Sequence, residues 1–170
     1  MKSGNGVSAL IIVVMGVSGA DKSTLGRALA EHLKWDFIEG DEHHPNENVE
    51  KMRMGRPLND DDRRPWLERL RGIIVSYSDQ GRGAVLTCSA LKAEYREILR
   101  RGVSDLRFVF LTGTPEMIRE RMAARKPHFM PPELLDSQFA ELEPPENAVH
   151  TPVDVPTEEQ VRLVCQALAI

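Results

Sequence analysis

The chain has 170 residues, 41% of them hydrophobic and 28% charged, with a net charge of −4 and 5% aromatics. That length suits one domain with a sizeable core, while slight acidity and scarce aromatics argue against a nucleic-acid surface. Cys88 and Cys165 sit in apolar surroundings and read as buried free thiols, and the apolar run Ala9 to Met15 is too short to span a membrane.

From the N-terminal side, "ALIIVVM" (Ala9 to Met15) is a continuous β-rich run, as in a parallel strand covered on both faces. "STLGRALAEHL" then puts Leu25, Ala28, Leu29 and Leu33 on one helical face. "DFIEGD" reads as a short second strand, "AVLTCSA" as a third, "LRFVFLTG" as a fourth and "NAVHTPVDV" as a fifth. Helices are expected around Asn48 to Met54, Asp61 to Ser78, Lys92 to Arg100, Pro115 to Arg125 and Glu133 to Leu142. The last helix starts in "TEEQVRLVCQAL", where Thr157 and Gln160 have capping-box spacing. Thr114-Pro115 is an equally good start, with proline in the first turn. Strands alternating with helices predict an α/β fold, with ligands meeting the carboxyl ends of a parallel sheet. No linker or repeat divides the chain, so a single domain over 1–170 is expected, in the cytoplasm.

The stretch "VVMGVSGADKSTLG" has the layout of a phosphate-binding P-loop, G-x-x-x-x-G-K-[ST], between a strand and a helix. Backbone N–H groups and a helix N-terminus there favour an anion. Lys22 is placed to reach the β- and γ-phosphates of a nucleotide, and Ser23 to hold Mg²⁺. Counting from Gly16, however, the second glycine is replaced by Asp21. The motif alone leaves a plain strand–turn–helix with a surface lysine as an equal reading.

Four further clusters carry chemistry. In "EGDEHHPNENVEKM", Asp41 lies just past a strand end, where a carboxylate could take a proton from a substrate hydroxyl. His43 and His44 are adjacent, not at the i, i+4 spacing of a zinc pair, and Glu42 and His43 read as polar loop. In "GRPLNDDDRRPWLERL", Asn59 or Asp60 caps a helix whose first turn contains Pro65. Capping leaves Arg63 and Arg64 unexplained, and one of them is expected to face an anion such as a substrate carboxylate. "CSALKAEYREILR" brings Lys92, Tyr95 and Arg96 onto a helix after small residues that let a ligand approach, or else forms a solvated face. In "RERMAARKPHFMPPELL", Arg121 and Arg125 lie one turn apart before a proline-rich segment, an arrangement able to close over a transferring phosphate or simply to face solvent.

Taken in this order, the clusters "MGVSG-x-x-KST", "GD-x-x-HP-x-x-N-x-x-KM", "G-x-PLNDDDR-x-PWL", "CSALK-x-x-YR-x-x-L" and "HFMPPELLDSQF-x-x-LEPP" resemble the gluconokinases of the shikimate-kinase-like P-loop group. The resemblance runs from the first strand to the last helix. It implies ATP-dependent, Mg²⁺-requiring phosphorylation of D-gluconate at its 6-hydroxyl, on a five-stranded parallel sheet with a mobile lid at about 126–140. It implies an ATP site at Gly16, Val17, Ser18, Gly19, Ala20, Asp21, Lys22, Ser23 and Thr24, with Arg121 as a nucleotide arginine and Ser23 on the metal. Lys22, Asp41 and Arg125 take catalytic roles, Asp41 as base or orienting carboxylate. Substrate contacts fall to Asp41, His44, Arg63, Lys92, Arg96 and the lid residue His128.

Two glycines of the family pattern are absent: Ala20-Asp21 precedes the lysine, and the lid reads Pro127-His128-Phe129. The second change is expected to stiffen the lid. A bare Asp21 charge about 5 Å from a phosphate, at an effective dielectric near 20, repels it by about 3 kcal/mol, roughly a hundredfold in ATP affinity. On that basis Asp21→Gly is expected to restore ATP binding and turnover. Two other functions stay open: a kinase of another small sugar acid, and a non-catalytic sugar-acid-binding relative. No nucleic acid or membrane partner is expected, and a homodimer is left open.

Overall fold

A computed structural model describes residues 9–124 and 133–170. Five strands form one sheet in the order β2-β3-β1-β4-β5, with β1 Ile11–Met15, β2 Asp36–Glu39, β3 Ala84–Thr87, β4 Leu106–Thr112 and β5 Val149–Pro152. Every pairing is parallel, and Ile11 aligns with both Ala84 and Leu106. The α/β fold, with its five-stranded parallel sheet, is the one the alternating pattern predicts. The helices are α1 Lys22–Leu33, α2 Asn46–Arg53, α3 Asp60–Asp79, α4 Ala93–Arg100, α5 Pro115–Ala124, α6 Glu133–Glu141 and α7 Thr157–Leu168.

The central strand explains why its sequence is apolar without alternation. Ile12 and Val14 enter a core with Leu25 and Leu29 of α1, Ile118 and Met122 of α5 and Val164 of α7. Ile11, Val13 and Met15 enter a second core with Trp66, Leu67, Leu70 and Ile74 of α3 and Leu99 of α4. Both faces of the strand therefore lie in apolar layers, which continuous rather than alternating hydrophobicity encodes.

Helix starts follow local chemistry with two corrections. Asn59 caps α3: its side chain accepts from the Asp62 N–H at 2.8 Å, while the Asp62 carboxylate accepts from the Asn59 N–H at 2.9 Å. Thr114 caps α5 by accepting from the Met117 N–H at 3.2 Å. Thr157, however, is the first helical residue of α7, and Pro156 occupies the cap without a side-chain bond. A proline at that place sets an extended backbone ahead of the helix, so the threonine is drawn one position inward. Pro65 likewise falls in the second turn of α3 rather than the first, and forfeits the bond that an N–H there would make to the carbonyl four residues back. Cys88 and Cys165 are free and buried, as expected. No described helix is long and apolar enough to cross a membrane. Arg125, His128 and the first part of the expected lid lie outside the described residues; α6 forms its second part.

After β2 the chain makes a tight 3-10 turn over Gly40–His43. Gly40 is where that turn meets β3: a Cβ there would lie 1.9 Å from the Thr87 carbonyl oxygen. The Gly40 N–H donates to the Thr87 hydroxyl at 3.1 Å, and its carbonyl accepts from the Trp66 indole at 2.8 Å. Gly40→Ala is expected to lower stability by about 1–3 kcal/mol through forced backbone separation. Urea unfolding measures it, and an unchanged midpoint would mean that the turn yields freely.

Candidate active site at the carboxyl edge of the sheet

The loop after β1 runs from Gly16 into α1, whose N-cap is Asp21 in a left-handed conformation, φ 69° and ψ 38°. That region is open to aspartate more readily than to most residues with a side chain. Asp21 thus keeps the backbone shape that glycine would have given. Its carboxylate Oδ2 accepts from Arg121 Nη1 at 2.8 Å, so it is not the bare charge considered above.

Lys22 is directed back over the loop, its ammonium donating to the Val17 carbonyl at 3.0 Å. Burial pushes its pKa down, and the nearby Asp41 carboxylate works against that shift. The Ser23 hydroxyl donates to the Glu39 carboxylate, whose other oxygen accepts from the Thr87 hydroxyl at 2.5 Å. Glu39 ends β2 and was not singled out in the sequence; the signal available was its place among the acidic residues closing that strand.

A small cavity of about 30 Å³ joins the loop to the acceptor side. Ser18, Lys22, Asp41, His44, Arg63, Trp66 and Ser89 line it, with Leu134, Ser137 and Gln138 of α6 on the far wall. Five of the expected site residues therefore converge: Ser18, Lys22, Asp41, His44 and Arg63. Small-molecule pockets span roughly 300 Å³ or more, so the cavity has to widen before a small molecule enters, and α6 is one of its walls, with Met52, Pro57 and Leu58 on another side. Gln138 marks the contact that would part if α6 moved, because its side-chain oxygen accepts from the Ser18 N–H at 2.8 Å. Gln138 falls inside the "HFMPPELLDSQF-x-x-LEPP" cluster, but that pattern gives it no role, and it lies 120 positions from Ser18.

The remaining cations have other partners. Arg63 is buried, whereas its neighbour Arg64 is exposed, which resolves which of the two faces inward. Arg63 donates to the Tyr95 hydroxyl at 2.9 Å and to Glu141 at 2.5 Å. Tyr95 in turn donates to Asp60, which also pairs with Lys92 at 2.9 Å. Lys92 sits on this outer network and does not line the cavity. Arg96 is buried too, but its guanidinium is committed to the Ala90, Leu91 and Glu143 carbonyls at 2.8, 3.2 and 2.8 Å. Ala90 has a left-handed φ of 46°, a strained state for alanine. Arg96 braces that turn, which presents Ser89 to the cavity, and its own head group points elsewhere.

His44 stacks on Trp66 at 3.9 Å. The Asn48 amide nitrogen, only a donor, lies 3.2 Å from His44 Nδ1 and also donates to the Asp62 carbonyl at 2.8 Å. Nδ1 is therefore the acceptor and Nε2 carries the proton, facing Asp41 at 4.0 Å. Burial, aided by the Arg63 charge, pushes its pKa down to about 4, so at neutral pH this contact is not an ion pair.

These features match known proteins closely. A shikimate kinase family profile covers residues 18–143. The chain belongs to the gluconokinases of the shikimate kinase family. It is 45% identical to the probable gluconokinase of Rattus norvegicus across 93% of this chain and 97% of that one. With the gluconokinase of Gluconobacter oxydans it shares 47% identity over 82% and 79%. The crystal structure of a gluconokinase from Sinorhizobium meliloti superposes with a TM-score of 0.86 at 44% identity, over 95% and 93% of the two chains. Membership of that family makes the chain a kinase.

A testable consequence concerns His44. Its pKa is about 4 when folded and about 6.5 in an unfolded chain. The neutral ring is thus favoured by folding, and its contribution, full above about pH 6.5, is lost as pH falls toward 4. His44→Gln should flatten the decline of unfolding free energy between those pH values. Parallel slopes for the two proteins would contradict the assignment.

Proposed function

We propose that the chain transfers the γ-phosphoryl group of ATP to the 6-hydroxyl of D-gluconate, yielding 6-phosphogluconate and ADP. The observation that carries this reading is the cavity in which Lys22 and Ser18 of the phosphate loop meet Asp41 and Arg63. Membership among gluconokinases supports the acceptor and the nucleotide. The loop N–H groups and Lys22 bind and orient the phosphates, and the lysine offsets charge as it builds on the transferring oxygens. Asp41, in the 3-10 turn after β2 and partly open to solvent, accepts the proton of the attacking hydroxyl. Arg63 offers a guanidinium to the sugar-acid carboxylate, and Glu141 and Tyr95 hold that guanidinium in place. His44 presents its Nε2–H to the same space as a neutral donor. Arg125 and His128 belong to this reading as closing residues on the strength of the resemblance alone.

The donor set suits Mg²⁺. Ser23 and Glu39 offer hard oxygens beside the loop, and Mg²⁺ is usually held by one or two protein oxygens plus phosphate and water rather than by a full protein cage. When bound, the cation neutralises phosphate charge. Among the described residues no cluster of three His, Cys, Asp or Glu side chains could hold a metal, in keeping with sharing of ligands with the nucleotide.

Phosphorylation assays over a panel of sugar acids test the reading, with D-gluconate expected as the preferred acceptor. Asp41→Asn is expected to cut kcat by roughly 10²–10⁴-fold with ATP binding nearly intact. Normal kcat with weakened ATP binding would move Asp41 to the metal. Arg63→Ala should lower kcat/KM for gluconate by about 2–3 kcal/mol, the scale of a lost charge-assisted pair. Unchanged gluconate kinetics would remove Arg63 from the acceptor site.

A further inference from the structure

Asp21 occupies a place in the phosphate loop where its family pattern has glycine, and a carboxylate there should repel a nucleotide. The structure supplies a counter-charge. Arg121, on α5, donates from Nη1 to Asp21 Oδ2 at 2.8 Å and from Nη2 to the Val153 carbonyl just after β5. Asp21 and Arg121 are both partly buried, with 20% and 35% of their side chains exposed. One guanidinium thus joins three segments: the phosphate loop, α5 and the chain leaving β5. The loop and helix are also in steric register, because a Cβ on Gly19 would lie 2.6 Å from Met122 Cγ, the residue after Arg121. Asp21 does not line the acceptor cavity; its carboxylate is directed to α5.

We propose that Asp21 and Arg121 act as one neutral unit in nucleotide binding, with Arg121 a positioning residue that makes aspartate tolerable in the phosphate loop. The geometry gives each partner a task. Aspartate adopts the left-handed backbone that opens α1, and its side chain holds Arg121 against the loop and the Val153 carbonyl. Arginine cancels the charge that would otherwise face the phosphates, and does so from a half-buried position where salt screens it little. Removing the arginine alone therefore takes away this cancelling charge and leaves the carboxylate in the loop, whereas removing both charges does not. An aspartate at this position does not mark a failed kinase.

The inference rests on the ATP reading above, and a double-mutant cycle separates the two. ATP affinity is measured by calorimetry, with Mg²⁺ present, for the unaltered protein, Asp21→Gly, Arg121→Met and the double variant. Thermal melts establish that each is folded. Arg121→Met is expected to weaken ATP binding about thirtyfold when Asp21 is retained, but about threefold or less in the Asp21→Gly background, a coupling near tenfold. Asp21→Gly alone should improve affinity by less than tenfold, not by the hundredfold of a bare charge. Equal effects of Arg121→Met in both backgrounds, or a hundredfold gain from Asp21→Gly, would overturn the proposal. Arg121→Lys, which keeps the charge, should recover most of the lost affinity, and failure to recover it counts against the charge-cancelling role. Absence of ATP binding in every form, with the proteins folded, would instead overturn the ATP reading.

Discussion

The parallel pairing of β1 between β3 and β4 is the constraint on which the site depends. It ends three segments at one edge: the phosphate loop after β1, the Ser89-Ala90 turn after β3 and, through β3, the Gly40 turn after β2. The Gly16 N–H donates to the Ser89 carbonyl at 3.3 Å, which ties the first two together. β1 holds its place because both of its faces are buried, and no slip of register leaves those faces covered equally well. A loop intended to hold phosphate needs that rigidity, since its donors are backbone groups with no side-chain freedom to adjust.

Buried arginines do a different job from the one that their charge suggests. Arg63 and Arg96 both lie almost wholly inside the molecule, where an unpaired cation would be costly. Arg96 offsets that penalty by giving its protons to backbone carbonyls, and it thereby holds the strained Ala90 turn. Arg63 instead uses Tyr95 and Glu141 and still borders the cavity. The pairing to Glu141 also fastens the end of α6, the helix whose Gln138 rests on the phosphate loop. The cavity and the loop after β1 therefore share one wall, α6.

Cys88 illustrates how the same burial acts on neighbouring groups in opposite directions. Desolvation pushes its thiol up to about 12 and the Lys22 ammonium down, because burial penalises whichever form is charged. The thiol is therefore an inert part of the core beneath the loop rather than a reactive group. Lys22 differs from the thiol in having the Asp41 carboxylate nearby, which works to keep it charged.

What the sequence determined by itself is local. The uninterrupted run of β1, the reciprocal cap of Asn59 and Asp62, and the glycine–lysine–serine layout of the loop are set by residues within a few positions of one another. Asp41 and Arg63 could be named as candidates for a similar reason, since one follows a strand end and the other sits at a helix start, whereas His44 is named through the family resemblance alone. The tertiary structure decided who pairs with whom across the fold. Asp21 meets Arg121 from 100 positions away, and Ser18 meets Gln138 from 120. Arg63 and Arg96 look alike in sequence, and only their surroundings assign one to the cavity and the other to a turn. A charge has no sign of its effect until its partner and its solvent exposure are known, and both are properties of the packed chain.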